Sequence, residues 1–102
     1  LIALDTPQTD DKAISNLNEA SRIDSDDPST WRLLGIAYGR RGDMGMASLS
    51  LAENALLIGD LQSARGQAAR AERLLPKGSP GWNRVQDIKS EIDRRRTERG
   101  DR

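Results

Sequence analysis

Residues of this chain recur at a fixed interval of 34, and toward its second half at 17, which restricts the chain to repeat architectures. Ala13 and Leu17 return as Ala47 and Leu51, Leu4 as Tyr38, and Ile23 as Leu57. After the half interval, Gly42 and Asp43 return as Gly59 and Asp60, Ala47 as Ala64, and Leu57 as Leu74. Trp31 and Trp82 are one full interval plus one half apart. Periods of this length mark stacked supersecondary units, none of which can bury its apolar face alone. A half step advances the frame by one helix, so the segment from 44 to 58 should close one helix pair and open the next. In that segment Met46, Ala47, Leu49, Leu51, Ala52, Ala55, Leu56, Leu57 and Ile58 leave only Glu53 charged. A helix that is apolar nearly all round is packed on both sides, which predicts the buried centre of the domain here.

Trp31, Leu34, Gly35 and Tyr38 stand as W-x-x-L-G-x-x-Y, followed by Ala47 and Leu51. This spacing resembles the tetratricopeptide repeat (TPR), a helix–turn–helix unit. The resemblance implies an all-α fold, an antiparallel, right-handed helix stack of the α-α superhelix type. It would contain about four full helices plus an N-terminal helix remnant. The packing set it implies is Ala13, Leu17, Ala20, Trp31, Leu34, Gly35, Tyr38, Ala47, Leu51, Ala64, Ala68, Ala71 and Trp82.

Local signals place the helices. Residues 1 to 4 read as a helix end and 5 to 11, with Pro7, as a polar loop. A helix follows from about 10 to 24, with Ala13, Leu17, Ala20 and Ile14 as its stripe. Asp27 is an N-cap and Pro28 a first helical residue, where its missing N–H costs nothing. Gly42 ends that helix in the left-handed conformation and Asp43 caps the next; Gly59 and Asp60 repeat the device. Pro76, Lys77 and Gly78 break the helix from 61 to 75. Ser79 and Pro80 open a last one on Val85, Ile88 and Ile92. A TPR-like domain over 1–93 and a frayed polar tail over 94–102 follow. Gly35 and Gly39, each costing about 1 kcal/mol inside a helix, predict close approach to a neighbouring helix.

Composition removes several function classes. With no histidine and no cysteine the chain cannot form an H-E-x-x-H zinc site, a Ser-His-Asp or Cys-His pair, or a disulfide. Sixteen basic and sixteen acidic residues cancel, so no global charge favours nucleic acid. No stretch is apolar for the length of a membrane span. Because Leu1 falls inside a helix of the repeat frame, the chain is expected to be a piece of a longer protein whose targeting signals lie upstream.

Four constellations have simpler readings than the sites they suggest. Asp24, Asp26 and Asp27 lack the glycine and closing glutamate of a calcium loop, and Pro28 breaks the ligand alternation. Arg94, Arg95 and Arg96 are interleaved with Glu91, Asp93 and Glu98 and have no aromatic for base stacking. Gly42 and Gly45 precede no Lys-Ser/Thr pair and make no phosphate cradle. Trp31 and Trp82 are assigned by the repeat frame to helix packing rather than to an exposed hot spot.

One stripe remains as a candidate binding surface. Arg32, Leu33, Ile36 and Arg40, with Ser29, share a face of the helix after Pro28. Arginine pairs bidentately with carboxylates, so an acidic or C-terminal protein segment would suit it; plainly solvated arginines are the competing reading. Asn83 and Asp87 on the last helix are the other candidates. The Lys and Asn pattern of carboxylate-clamp TPRs is not present.

A narrower resemblance rests on two segments: Leu51 to Asp60 (L-A-E-N-A-L-L-I-G-D) and Gly78 to Ile88 (G-S-P-G-W-N-R-V-Q-D-I). These resemble the C-terminal TPR region of bacterial periplasmic zinc metalloproteases related to the CAAX prenyl protease, among them the β-barrel assembly-enhancing type. The likeness covers about residues 9 to 90; Asn54 departs from the small residue that a TPR second helix carries at that place. It implies a periplasmic, non-catalytic arm with no cofactor of its own, zinc being held by an upstream protease domain. Its partners would be that domain in cis and outer-membrane assembly proteins. A free-standing TPR adaptor or co-chaperone is the alternative.

Overall fold

Four of the helices begin where a short polar side chain accepts from an N–H that the first turn leaves unpaired. The computed structural model describes residues 7–98, with side chains from Asp10 onward, and contains five α-helices there. They are α1 (Pro7–Ile23), α2 (Pro28–Arg40), α3 (Met44–Ile58), α4 (Leu61–Leu74) and α5 (Pro80–Glu98). Asp27 accepts from Ser29 N–H, Asp43 from Met46 N–H and Asp60 from Ser63 N–H, at 3.0 to 3.2 Å. Ser79 Oγ accepts from Trp82 N–H at 3.3 Å. Gly42 and Gly59 both have φ of 83°, the left-handed geometry that ends a helix without a Cβ penalty.

Two boundaries differ from the sequence-based expectation. α1 starts at Pro7, so residues 7–11 of the segment read as a polar loop belong to its start. α5 continues to Glu98, past Arg94, because Arg95 accepts no solvent-only role: its Nε donates to Glu91 and its Nη1 to the Leu56 carbonyl of α3 at 3.1 Å. The helices also number one more than the repeat count implies. The remnant over residues 1–4 lies outside the described residues.

Connections of two to five residues force consecutive helices to lie antiparallel. Each helix packs on the next, and α3 also packs on α5, so among the described residues only α3 touches three others. Its Ala47, Leu49, Ala52, Ala55 and Leu56 are buried, while Ile58, its last residue, is 61% exposed. The main core joins Leu49, Ala52 and Leu56 to Ala64, Ala68 and Ala71 of α4 and to Val85, Ile88 and Ile92 of α5. Full burial of those three α5 residues contributes about 2 kcal/mol each. A smaller cluster joins Ile14, Leu34 and Ala37, with Leu17, Trp31 and Tyr38 against it. Ile14 is the buried residue of α1's stripe, whereas Ala13, Leu17 and Ala20 are half-buried.

Small residues set the helix separations. A Cβ on Gly35 would stand 2.8 Å from Leu51 Cδ2 and 3.4 Å from the Ala47 carbonyl oxygen, so α2 lies against α3 there. A Cβ on Gly39 would meet nothing within 4 Å, which overturns the expectation of close approach at that residue. Gly39 sits in the last turn, where its carbonyl accepts from Gly42 N–H at 3.0 Å. Leu75 fits between two glycines, with its methyl carbons 2.9 Å from a Cβ on Gly45 and 3.2 Å from one on Gly81. Trp31 is half-buried and its Nε1 donates to the Ser25 carbonyl at 2.9 Å; Trp82 is half-buried on the first turn of α5.

Candidate functional site

The antiparallel pairing of α1 with α2 leaves an apolar groove between them. It has a volume of about 210 Å³ and is lined by Asp10, Ala13 and Leu17 of α1 and by Leu33, Ile36, Ala37 and Arg40 of α2. Leu33 and Ile36 are 43% and 48% exposed, unusual for large aliphatic side chains three apart on one helix face. Three of the four α2 residues expected to form a binding stripe, Leu33, Ile36 and Arg40, therefore meet in one groove. Arg32 stands one turn from Ile36, exposed, and does not line the groove.

Ion pairs close one end. Asp10 is buried, and its carboxylate faces the Arg40 guanidinium at 3.3 Å; next to it Asp11 pairs with Arg41. A buried carboxylate without a cation would be costly, so Arg40 is committed to neutralising Asp10. That departs from its expected role as a donor to a partner. Asn83 and Asp87 are exposed on α5, which packs on α3 and α4 and not on α1 or α2. The fold does not bring them to the groove, a correction to their grouping with the α2 stripe. The α1 wall, Asp10, Ala13 and Leu17, is missing from the sequence-based groove because Ala13 and Leu17 match the packing positions of the repeat.

Elsewhere the polar clusters are satisfied structurally. Glu53, buried in α3, takes both Nε and Nη2 of Arg84 on α5, at 2.5 and 2.8 Å. This bond to Glu53 is the main cause that holds Arg84 still further into its cationic range, against partial burial. Glu72 accepts from Gln86 at 2.8 Å and from Lys89 at 3.1 Å, in a shallow cleft of about 250 Å³ between α4 and α5. Those donors, Gln86 first, hold its carboxyl below the usual range. Arg65 and Asp93 also line this cleft, over Ala69 and Ile92.

Among the described residues, no group of three or more carboxylates, imidazoles or thiols could hold a metal ion. No described helix is long and apolar enough to cross a membrane. The α1–α2 groove is thus suited to receiving apolar side chains, with charge at its edge rather than its floor. Compared with protein-family models, with curated proteins and with solved structures, the chain gives no match.

Proposed function

We propose that this chain is a non-catalytic protein-interaction module that takes apolar side chains of a protein segment into the α1–α2 groove. The observation that carries this is the exposure of Leu33 and Ile36 beside Ala13 and Leu17, an apolar surface that no described residue covers. Apolar patches rimmed by polar residues are characteristic of interaction surfaces. The resemblance to metalloprotease TPR regions supplies the finer form of the proposal. The module would belong to a periplasmic zinc protease, docking on its protease domain and presenting substrates or outer-membrane assembly partners. Arg32, exposed one turn from Ile36, would bond a carboxylate of the bound segment.

The test begins with the gene upstream of this chain. A signal peptide and an H-E-x-x-H domain there support the protease form; their absence leaves the adaptor form. The chain is then titrated with that upstream domain, comparing the parent with a Leu33→Glu, Ile36→Glu variant. Covering the exposed half of each side chain is worth about 1 kcal/mol, so the variant should bind roughly thirtyfold more weakly. Both residues are already half in solvent, so helical circular dichroism should be unchanged. Parent-like binding by the variant would remove the groove from the proposal.

A further inference from the structure

Ala13 and Leu17 of α1 stand one 34-residue interval before Ala47 and Leu51 of α3, and on α3 that pair is covered. What covers it is a helix: a Cβ on Gly35 of α2 would lie 2.8 Å from Leu51 Cδ2 and 3.4 Å from the Ala47 carbonyl oxygen. On α1 the same pair is half-buried and forms one wall of the groove. That wall therefore carries the side-chain pattern with which this fold already seats a helix.

The other lining groups favour the same form of occupant. Between Ala13 and Leu17 on one side and Leu33 and Ala37 on the other, α1 and α2 are uninterrupted α-helix, so their N–H and C=O groups are bonded within each helix. The two polar side chains that line the groove, Asp10 and Arg40, face each other at 3.3 Å. An extended segment would press part of its backbone on these walls with no donor or acceptor to meet it, and an unpaired buried backbone group is costly. A helix brings its backbone bonds with it and offers side chains alone, the helix-in-groove mode of recognition. From Leu33 to Arg40 the groove follows α2 for about two turns. Its volume of about 210 Å³ exceeds the roughly 150 Å³ of a cavity that accepts benzene, which leaves room for two aliphatic side chains one turn apart.

Charge distinguishes the flank of that helix. Asp10 and Arg40 neutralise each other, as do Asp11 and Arg41 beside them. Arg32 is exposed one turn from Ile36, and its guanidinium meets no carboxylate among the described residues. Asn16 and Ala20, which continue the Ala13 and Leu17 face of α1, are uncharged. The charge left to complement beside the groove is thus a cation. We propose that the occupant is a single amphipathic α-helix of a partner protein, with two aliphatic side chains one turn apart in the groove and a carboxylate on its flank for Arg32. This rests on the proposed function and gives its partner a form and a charge.

The probes are three alanine-rich peptides of about 16 residues, long enough to be helical in water. The first carries two leucines four apart with glutamates beside them. In the second a proline between the leucines breaks the helix, and in the third lysines replace the glutamates. Each is titrated to millimolar concentration into the chain and followed by amide proton–nitrogen NMR. The first should shift the signals of Ala13, Leu17, Leu33 and Ile36 and bind at least tenfold more tightly than the second. It should bind about threefold more tightly than the third, the scale of one exposed ion pair, and the Arg32→Glu chain should reverse that order. The Leu33→Glu, Ile36→Glu chain should lose the first peptide; retention would overturn the site. Equal binding of the proline peptide would overturn the helical form and leave the module reading standing. An unchanged order in the Arg32→Glu chain would overturn the charge assignment. If no peptide shifts those signals the inference fails, and the upstream-domain titration decides separately whether the groove binds protein. Signals there that shift on dilution of the parent chain alone would overturn it as well and assign the groove to a second copy.

Discussion

Replacing Gly35 by alanine sets two quantities of opposite sign against each other. Inside a helix, glycine to alanine stabilises by about 1 kcal/mol where the new methyl meets nothing. At Gly35 the methyl would lie 2.8 Å from Leu51 Cδ2 and 2.9 Å from Leu51 Cγ, with the Ala47 carbonyl oxygen at 3.4 Å. Leu51 must turn away or α2 must lift, and overpacking of this kind costs about 1 to 3 kcal/mol. The net expectation is a loss of about 1 kcal/mol. Gly66, in the middle of α4, has nothing within 4 Å of its Cβ position. Gly66→Ala should therefore gain about 1 kcal/mol, which puts the two variants about 2 kcal/mol apart. In a domain of this size that is roughly 8 to 16 °C in Tm. Urea denaturation followed by far-ultraviolet circular dichroism measures both. If Gly35→Ala is stabilised as much as Gly66→Ala, close packing of α2 on α3 does not depend on Gly35.

Arg84→Ala should cost about 3 kcal/mol, because it leaves the buried Glu53 carboxylate without its cation, and Glu53→Leu with Arg84→Met should recover most of that in the same denaturation assay. Asp60, through its bond from the Ser63 N–H, and Glu72, through Gln86 and Lys89, have folded pKa values below their ordinary ones. Their contributions are present above the unfolded carboxylate range and fade as pH falls from about 4 through the folded values. Asp60→Asn with Glu72→Gln should flatten the acid limb of a plot of denaturation midpoint against pH; a limb like the parent's would contradict those assignments. The dialysed chain should carry no stoichiometric zinc by elemental analysis and leave casein intact, and one tightly held zinc per chain would contradict the ligand inventory.

The helix boundaries most legible in the sequence are those with a cap and a stop side by side. Asp27-Pro28, Gly42-Asp43 and Gly59-Asp60 each carry a local physical signal, and the structure places helix ends at all three. Less legible was the start of α1, where Pro7 followed by Gln, Thr and two Asp has the composition of both a loop and a capped first turn. Polarity also concealed the end of α5, held by a bond from Arg95 to a carbonyl 39 residues away in sequence. The candidate site was half legible. Periodicity alone put Leu33, Ile36 and Arg40 on one face. It could not reveal that Arg40 answers a buried Asp10 across the helix pair, nor that α5 lies away from α2. Ala13 and Leu17 carry packing chemistry, and whether such residues meet a neighbour depends on what stands at the end of a stack.

The arrangement of contacts around α3 also orders how the molecule comes apart. α1 touches α2 alone among the described helices, whereas α3, α4 and α5 each contact the other two. Removing α1 exposes one small cluster of Ile14, Leu34 and Ala37, but removing α4 opens the main core from within. The domain therefore has a hinge-free thermodynamic gradient along its length, with local opening cheapest at the amino-terminal helix and approaching the global unfolding free energy at its centre. The helix that walls the groove is the one most free to yield without disturbing the fold that carries it.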